Sequence, residues 1–328
     1  MLHVIRRLDL AGGAERIVAE LVREVPGHDV LIFDGGTSVY DLGAGKLLRA
    51  RNLAHALWMC LRLKRQYDIF HLHLPPSIYL AIPFGKRAVI HEHNTHLERR
   101  RKFLPRVLSR IAMERAAAVI AVGESVRNAI VGGGGKRARV FSLPNFVANL
   151  PDAQDTSSGS TNLLMVAAFR AAKRQDQLIR ALPFMPEDIR VSFAGDGPNL
   201  PTYRRLAEDL CVAHRIDFLG SVRDISKHYA NARLCVLLSD WEGFGLVVLE
   251  AARFGKATVV SDIIALREFC VDDRLLFTGS SAKELADKLM EAVKFCGDQN
   301  LKQRLADILE DHDLFSYAKK LNAIYEAV

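Results

Sequence analysis

Residues 239 to 262 read SDWEGFGLVVLEAARFGKATVVSD, with Glu242 and Glu250 eight positions apart on either side of a glycine-marked turn and an apolar run. Unpaired carboxylates are costly in apolar surroundings, so the two acids are either solvated or in contact with a ligand. Gly243 and Gly245 allow a tight turn and close approach of backbone to such a ligand. A helix starting near Leu246 would present the unpaired N–H groups of Leu246 and Val247 together with the positive end of its dipole, which suits a phosphate. Glu242, ahead of the helix, and Glu250, about one turn inside it, could then accept hydrogen bonds from neutral sugars at the two ends of a ligand with a charged middle. Earlier, in LLMVAAFRAAKRQDQLIRAL, Arg170 and Lys173 follow a strand-like run and could neutralise a departing diphosphate. SFAGDGP places Gly195 and Gly197 at the end of another strand-like run, where backbone can again come close.

The first half carries a different set. LAGGAERI follows the first strand-like run, and Gly12 and Gly13 open a helix near Ala14. DIFHLHLPP and AVIHEHNTH put His71, His73, His91, His93 and His96 at the ends of two strands. HxH spacing on a strand can signal metal binding, as in amidohydrolase-type barrels. Such barrels draw further ligands from later strands, and the second half offers only His214, His228 and His312, none in a fitting context. The expectation is therefore no metal site, with His91 pointing away from His93 toward the sheet interior and Glu92 on the opposite face. VGGGGKRARV lacks the first glycine and the Ser or Thr of a phosphate loop, since Ile130 and Arg137 stand in those positions, and it reads as a connection.

The elements that must position these residues are legible as an alternation. LHVI, DVLIF, DIFHLHL, AVIHE, AAVIAV and ARVFSL alternate with amphipathic stretches such as AERIVAELVREV, KLLRARNLAHALWMCLRLKRQ and ESVRNAIV, which predicts βαβ units around a parallel sheet. NLPDAQDTSSGSTN is a linker by composition, and alternation then restarts with NLLMVAAF, RVSFAG, IDFLG, ARLCVLLS and KATVVS. At 328 residues the chain suits two domains, 1–150 and 161–312, followed by an amphipathic helix over 313–328 that could return to the first. In doubly wound sheets ligands bind at the carboxyl ends of strands, so a cleft between two such domains is the expected site.

Composition excludes several classes. With 49% apolar and 25% charged residues the chain is globular, and no apolar run approaches a membrane span. MLHVIRR runs directly into a strand, which predicts no signal peptide. Five scattered cysteines without a CxxC pair predict reduced, mostly buried thiols and a cytoplasmic setting. Residues 1–150 hold 23 Lys+Arg against 12 Asp+Glu, whereas residues 151–328 hold 22 against 26. The densest basic stretch, LERRRKFLPRVLSR, sets Arg99, Arg100, Arg101, Lys102 and Arg106 over Leu104, Leu108 and Ile111 at helical spacing. Such a helix can lie on an anionic membrane surface or be a solvated face. Basic residues do not interleave with aromatics, so nucleic acid is not an expected partner.

EGFGLVVLEAARFGKATVVSD resembles the E-x7-E signature of retaining glycosyltransferases of the GT-B fold, family 4 (glycosyl transferases group 1) in particular. The order of GGAER, a histidine after the fourth strand, a basic loop opening the second domain, AGDGP, FLGSVRDI and SDIIALREF extends the resemblance over nearly the whole chain. It implies an α/β GT-B architecture of two doubly wound Rossmann-like domains facing across a cleft, the first for the acceptor and the second for a nucleotide diphosphate-sugar such as a UDP-sugar. It gives Glu250 to the ribose, Arg170 and Lys173 to the diphosphate, and Glu242, with backbone at Phe244 and Gly245, to the donor sugar. Val222 would hold the base, Gly12 and Gly13 would face the donor, His93 would contact donor sugar or acceptor, and His73 would belong to the acceptor site. It also implies retention of configuration without a metal or other cofactor. The family's Gly-Arg pair is replaced by Ala167 and Ala168, which leaves open whether Arg170 or Arg174 serves beside Lys173.

The reading is a hexosyltransferase acting on a hydroxyl of a glycan or lipid-linked glycan in surface polysaccharide or glycolipid assembly, peripheral on the inner face of the cell membrane. Alternatives are a small metabolite or sugar-phosphate acceptor, or a nucleotide-sugar-binding protein without turnover.

Overall fold

The computed structural model describes residues 1–8, 12–95, 103–132, 138–147 and 149–328. His96, Arg99, Arg100, Arg101, Lys102 and most of the glycine run after Gly132 lie outside the described residues. The chain forms two compact units, Met1–Ala148 with His312–Val328, and Asn149–Asp311.

The first unit is built on seven parallel strands: β1 (Leu2–Ile5), β2 (Asp29–Ile32), β3 (Leu47–Arg49), β4 (Phe70–His73), β5 (Ala88–Glu92), β6 (Ala118–Ala121) and β7 (Val140–Ser142). Their spatial order is β3-β2-β1-β4-β5-β6-β7. Six of the seven follow the β-branched runs of the sequence. β3 does not: Leu47–Arg49 opens what reads as one long amphipathic helix, which starts only at Leu53 behind the N-cap Asn52. Leu47 and Leu48 pair with Val30 and Leu31, so an edge pairing overrides helical propensity there. The closing helix Leu314–Glu326, capped by Asp313, belongs to this unit, with Tyr317 edge-on to Phe146 and the Tyr325 hydroxyl 2.6 Å from His71 Nδ1.

The second unit has six parallel strands: β8 (Asn162–Val166), β9 (Arg190–Ala194), β10 (Ile216–Gly220), β11 (Leu234–Leu237), β12 (Thr258–Ser261) and β13 (Leu276–Phe277), ordered β10-β9-β8-β11-β12-β13. β13 has two residues, too few to show in a pattern. The chain leaves β8 in one direction and returns to build outward from β11, so the order reverses between β8 and β11, the place where doubly wound sheets take ligands. The polar segment before β8 is fastened to this unit. Buried Lys256 donates to Asp155 Oδ1 and Ser157 Oγ, both at 2.7 Å, and Arg253 donates to Leu150 O at 3.0 Å. Arg215, 2% exposed, donates to the carbonyls of Ile189, Leu182 and Pro186, so a buried guanidinium finds acceptors for its N–H groups.

Among the described residues no helix is long and apolar enough to cross a membrane. All five cysteines are free; Cys60, Cys235 and Cys296 are buried, Cys270 is half-buried and Cys211 is exposed.

Candidate active site

The loops at the carboxyl ends of β8 and β11 meet at the reversal point of the second sheet. The helix Leu246–Arg253 starts behind Gly245, whose φ of +102° is left-handed backbone. A Cβ there would come within 2.6 Å of Leu266 Cδ2, so glycine is required both by conformation and by packing. Gly245 offers the helix no side-chain cap, and the first N–H groups, at Leu246 and Val247, have no intrahelical acceptor. Both residues are half-exposed, whereas Gly243, Phe244 and Gly245 are buried. The start of the helix is thus open to a ligand, and the turn that aims it is locked from below, with Phe244 packed edge-on against Phe269.

Lys173 and Glu242 form an ion pair across the reversal point, with side chains 20% and 11% exposed. Ser239 Oγ donates to the same Glu242 oxygen at 2.8 Å. The neighbouring cations divide differently. Arg174, in left-handed backbone at φ +47°, bonds Asp240 Oδ1 at 2.8 Å, whereas Arg170 is exposed and no ion pair commits it among the described residues. Lys173 and Glu242 therefore form one unit, and Arg170 is the more available arginine for an anion.

Glu250 is 6% exposed and accepts a hydrogen bond from Tyr229 at 2.9 Å. Tyr229 stacks on Phe254 with ring centroids 5.5 Å apart, and Val222, half-buried after β10, packs on the same apolar cluster. A carboxylate oxygen has more than one acceptor site, so Glu250 can hold Tyr229 and still receive a ligand hydroxyl. No local signal marks Tyr229 as its partner; it lies on the helix Ser226–Asn231, between β10 and β11.

Gly195 and Gly197 have a different reason to be glycine. At φ +143° and +157°, a Cβ would meet Ala167 O at 2.1 Å and Phe169 O at 2.5 Å. They let the loop after β9 lie against the loop carrying Arg170 and Lys173, and Gly195 N also bonds Gly220 O at 2.7 Å. Their close approach is to protein backbone. The polar depression of about 430 Å³ lined by Thr156, Asn162, Arg190 and Asp217 sits at the amino ends of the strands, away from these loops.

In the first unit Gly12 is the N-cap of the helix Gly13–Glu24, with Glu15 in its first turn. The histidines form a stack. Alternation along parallel strands brings His3 of β1, His71 and His73 of β4 and His91 of β5 to one face, joined by His28 just before β2 and His93 just after β5. His28 Nδ1 lies 2.7 Å from His3 Nε2, His3 Nδ1 2.9 Å from His73 Nε2, and His73 Nδ1 3.1 Å from His93 Nε2. Burial holds all six well below the usual imidazole range, His28 at about 4 and His93 at about 3, and neighbouring histidines add to the effect on His3, His71, His73 and His91.

Two expectations are corrected here. His91 does not turn away: residues two apart on a strand share a face, and its ring stacks on His93 with centroids 4.3 Å apart. His73, expected at the acceptor site, is 1% exposed with both ring nitrogens hydrogen-bonded, so it can reach a substrate only through His93. Two triads, His3–His71–His73 and His73–His91–His93, each bring their ring nitrogens within 4.8 Å of one another, a spacing that could hold a metal.

Comparison with known proteins places the chain. The family model described as glycosyl transferases group 1 matches residues 148–314, and that described as glycosyltransferase family 4 matches residues 11–148. The chain belongs to the group 1, family 4 glycosyltransferases and has the GT-B fold. It is 24% identical over 247 residues to the uncharacterized glycosyltransferase YqgM of Bacillus subtilis, covering 70% of this chain and 69% of that protein. A GDP-mannose-dependent alpha-(1-6)-phosphatidylinositol monomannoside mannosyltransferase of Mycolicibacterium smegmatis is 35% identical over 99 residues, 26% of either chain. Among solved structures, Anabaena Alr3699/HepE in complex with UDP-glucose superposes with a TM-score of 0.84 at 18% identity, over 100% of this chain and 99% of that one.

Proposed function

We propose that the chain is a retaining hexosyltransferase that uses a nucleoside diphosphate sugar, a UDP-hexose first among candidates, and transfers to a hydroxyl of a glycan or lipid-linked glycan. The observation that carries this reading is the open helix start at Leu246, flanked by the Lys173–Glu242 pair and backed by Glu250. The diphosphate rests on the N–H groups of Leu246 and Val247, and Lys173 leaves Glu242 to bond the phosphate oxygens, with Arg170 adding a second positive charge. Glu242, released, accepts hydroxyls of the donor sugar together with backbone at Phe244 and Gly245. Glu250 takes the ribose, and the loop at Val222 takes the base.

In the chemical step the bond from the anomeric carbon to the phosphate oxygen breaks, and the acceptor oxygen forms a bond to that carbon from the same face. The acceptor proton passes to the departing phosphate oxygen. The negative charge developing there meets Lys173, Arg170 and the helix start, which supply the stabilisation that a divalent metal supplies elsewhere. His93, half-buried, takes the role that the family resemblance gives it, contact with donor sugar or acceptor. UDP-glucose in Alr3699/HepE and the phosphatidylinositol glycan substrate named for the mycobacterial relative support this donor and acceptor class. So does the helix Phe103–Arg115, where Phe103, Leu104 and Ile111 are exposed beside Arg106 and Arg110, as an amphipathic helix on an anionic membrane requires.

The test is a thermal-shift panel of nucleotide diphosphates and nucleotide sugars, followed by transfer with the donor that stabilises most. A ligand bound to the folded state raises its melting point by mass action. The cognate UDP-hexose should give the largest shift, Glu250→Ala should erase it, the product should keep the donor's anomeric configuration, and added Mg²⁺ or Mn²⁺ should leave the rate unchanged. A protein that no nucleotide diphosphate stabilises would overturn the reading. Transfer to a small sugar phosphate but to no glycan would overturn the acceptor class.

A further inference from the structure

The histidine stack of the first unit has more buried nitrogen than hydrogen bonding. Each neutral imidazole carries one N–H and one lone pair. The chain His28–His3–His73–His93 satisfies itself if all four tautomers point one way, because three hydrogen bonds then use three N–H groups. Outside that chain both ring nitrogens of His91, Nδ1 of His93 and Nε2 of His71 are buried with no hydrogen-bond partner among the described residues. His91 is 0% exposed, and leaving a donor and an acceptor of one buried ring unmet is strongly unfavourable. Protonation would not relieve it, since charging a ring in this setting is opposed by burial and by its neighbours.

We propose that His73, His91 and His93 bind one divalent transition-metal ion of the zinc class. Neutral imidazoles are good ligands for such ions, and three of them leave a fourth position for water. His73 Nδ1 and His93 Nε2, 3.1 Å apart, are near the spacing of about 3.3 Å that two nitrogens take when each lies about 2.0–2.1 Å from zinc in a tetrahedron. The ring of His91, stacked on His93, brings the third nitrogen within 4.8 Å of the other two. With Nδ1 of His73 on the ion, its Nε2–H donates to His3 Nδ1, and His3 Nε2–H donates to His28 Nδ1. This gives the stack one polarity and supplies the outer hydrogen bonds that orient a metal-bound histidine. The other triad is less suited: ligation by His3 would break its bond to His28 or to His73 in the middle of the stack, whereas here only the His73–His93 contact gives way, and both of its nitrogens go to the ion. Half-buried His93, just past the end of β5, is the entry. This site lies within the first unit and is independent of the diphosphate chemistry proposed for the second.

The test uses the full chain, stripped with chelator and titrated with Co²⁺. The expected result is an intense visible absorption of a four-coordinate ion saturating at one equivalent per chain and bleached by Zn²⁺. His91→Asn should weaken Co²⁺ binding by 100-fold or more with the far-UV circular dichroism unchanged, and His71→Asn should bind as the wild type does. Wild-type protein that takes up no stoichiometric Co²⁺ or Zn²⁺ overturns the proposal, whatever the variants do. Loss of binding in His71→Asn with retention in His91→Asn overturns it as well.

Discussion

The Lys173–Glu242 pair yields a prediction whose sign differs between its two members. The side chains are 20% and 11% exposed, between a surface pair, worth about 0–1 kcal/mol, and a fully buried one, whose disruption costs about 3–5 kcal/mol. If the diphosphate takes Lys173 from Glu242, breaking the pair subtracts about 1 kcal/mol from donor binding, the low end of that range because Ser239 still bonds the carboxylate. Glu242→Gln removes the competitor, and UDP should bind about fivefold more tightly. Lys173→Met removes charge-assisted hydrogen bonds of about 1.5–3 kcal/mol and leaves the carboxylate facing the phosphates, so UDP should bind about 30-fold more weakly or worse. Transfer should fall in both variants, because Glu242→Gln replaces the charged acceptor of the sugar hydroxyls with a weaker neutral one. Isothermal titration calorimetry with UDP, which lacks the sugar, separates the two effects. If Glu242→Gln weakens UDP binding as much as Lys173→Met does, the exchange of partners at Lys173 is refuted.

Further expectations concern stability and pH. Gly195→Ala should destabilise the second unit by about 3 kcal/mol or more, since its Cβ would lie 2.1 Å from Ala167 O, and chemical denaturation should show it without any ligand. Arg215→Met should cost about 3 kcal/mol by removing three charge-assisted hydrogen bonds to backbone carbonyls, seen as a drop of roughly 10 °C in the melting of the second unit. Metal-free protein should lose stability on acidification. The buried histidines stay neutral in the fold and take protons when unfolded, so the loss begins near pH 6.5 and continues to about pH 4 for His28 and about pH 3 for His93, at about 1.4 kcal/mol per pH unit for each ring. Urea midpoints of the first unit at pH 7.5 and pH 5.5 should differ accordingly, and equal midpoints would contradict the neutral stack. Phe103→Ser with Leu104→Ser should abolish pelleting with anionic vesicles, and unchanged pelleting would remove the membrane role from this helix.

The sequence carried much of the second unit because its signals are local. Leu163, Val191, Val236 and Val259 sit in short β-branched runs that became central strands, and the Gly245 turn, Glu242, Glu250 and Lys173 lie within readable loops. Partnerships were not readable. Nothing near Arg174 announces Asp240, and nothing near Glu250 announces Tyr229, because each pair is joined by strand order across the sheet. The histidine stack shows the same limit more strongly. HLH and HEH were visible, but His3 and His28 come from β1 and the residue before β2, and only the order β2-β1-β4-β5 lines them up. His214, His228 and His312, the later histidines, join neither triad. β3 was hidden because Leu47 and Leu48 fit a helix as well as a strand until Val30 and Leu31 are beside them.

The amide resonances of Leu246 and Val247 in deuterated, ¹⁵N-labelled protein test the central claim most directly. On titration with UDP both should shift downfield and saturate at one equivalent, as N–H groups that gain a phosphate acceptor do, and uridine without phosphate should leave them in place. UDP that binds while those two amides stay still would show that the diphosphate rests elsewhere.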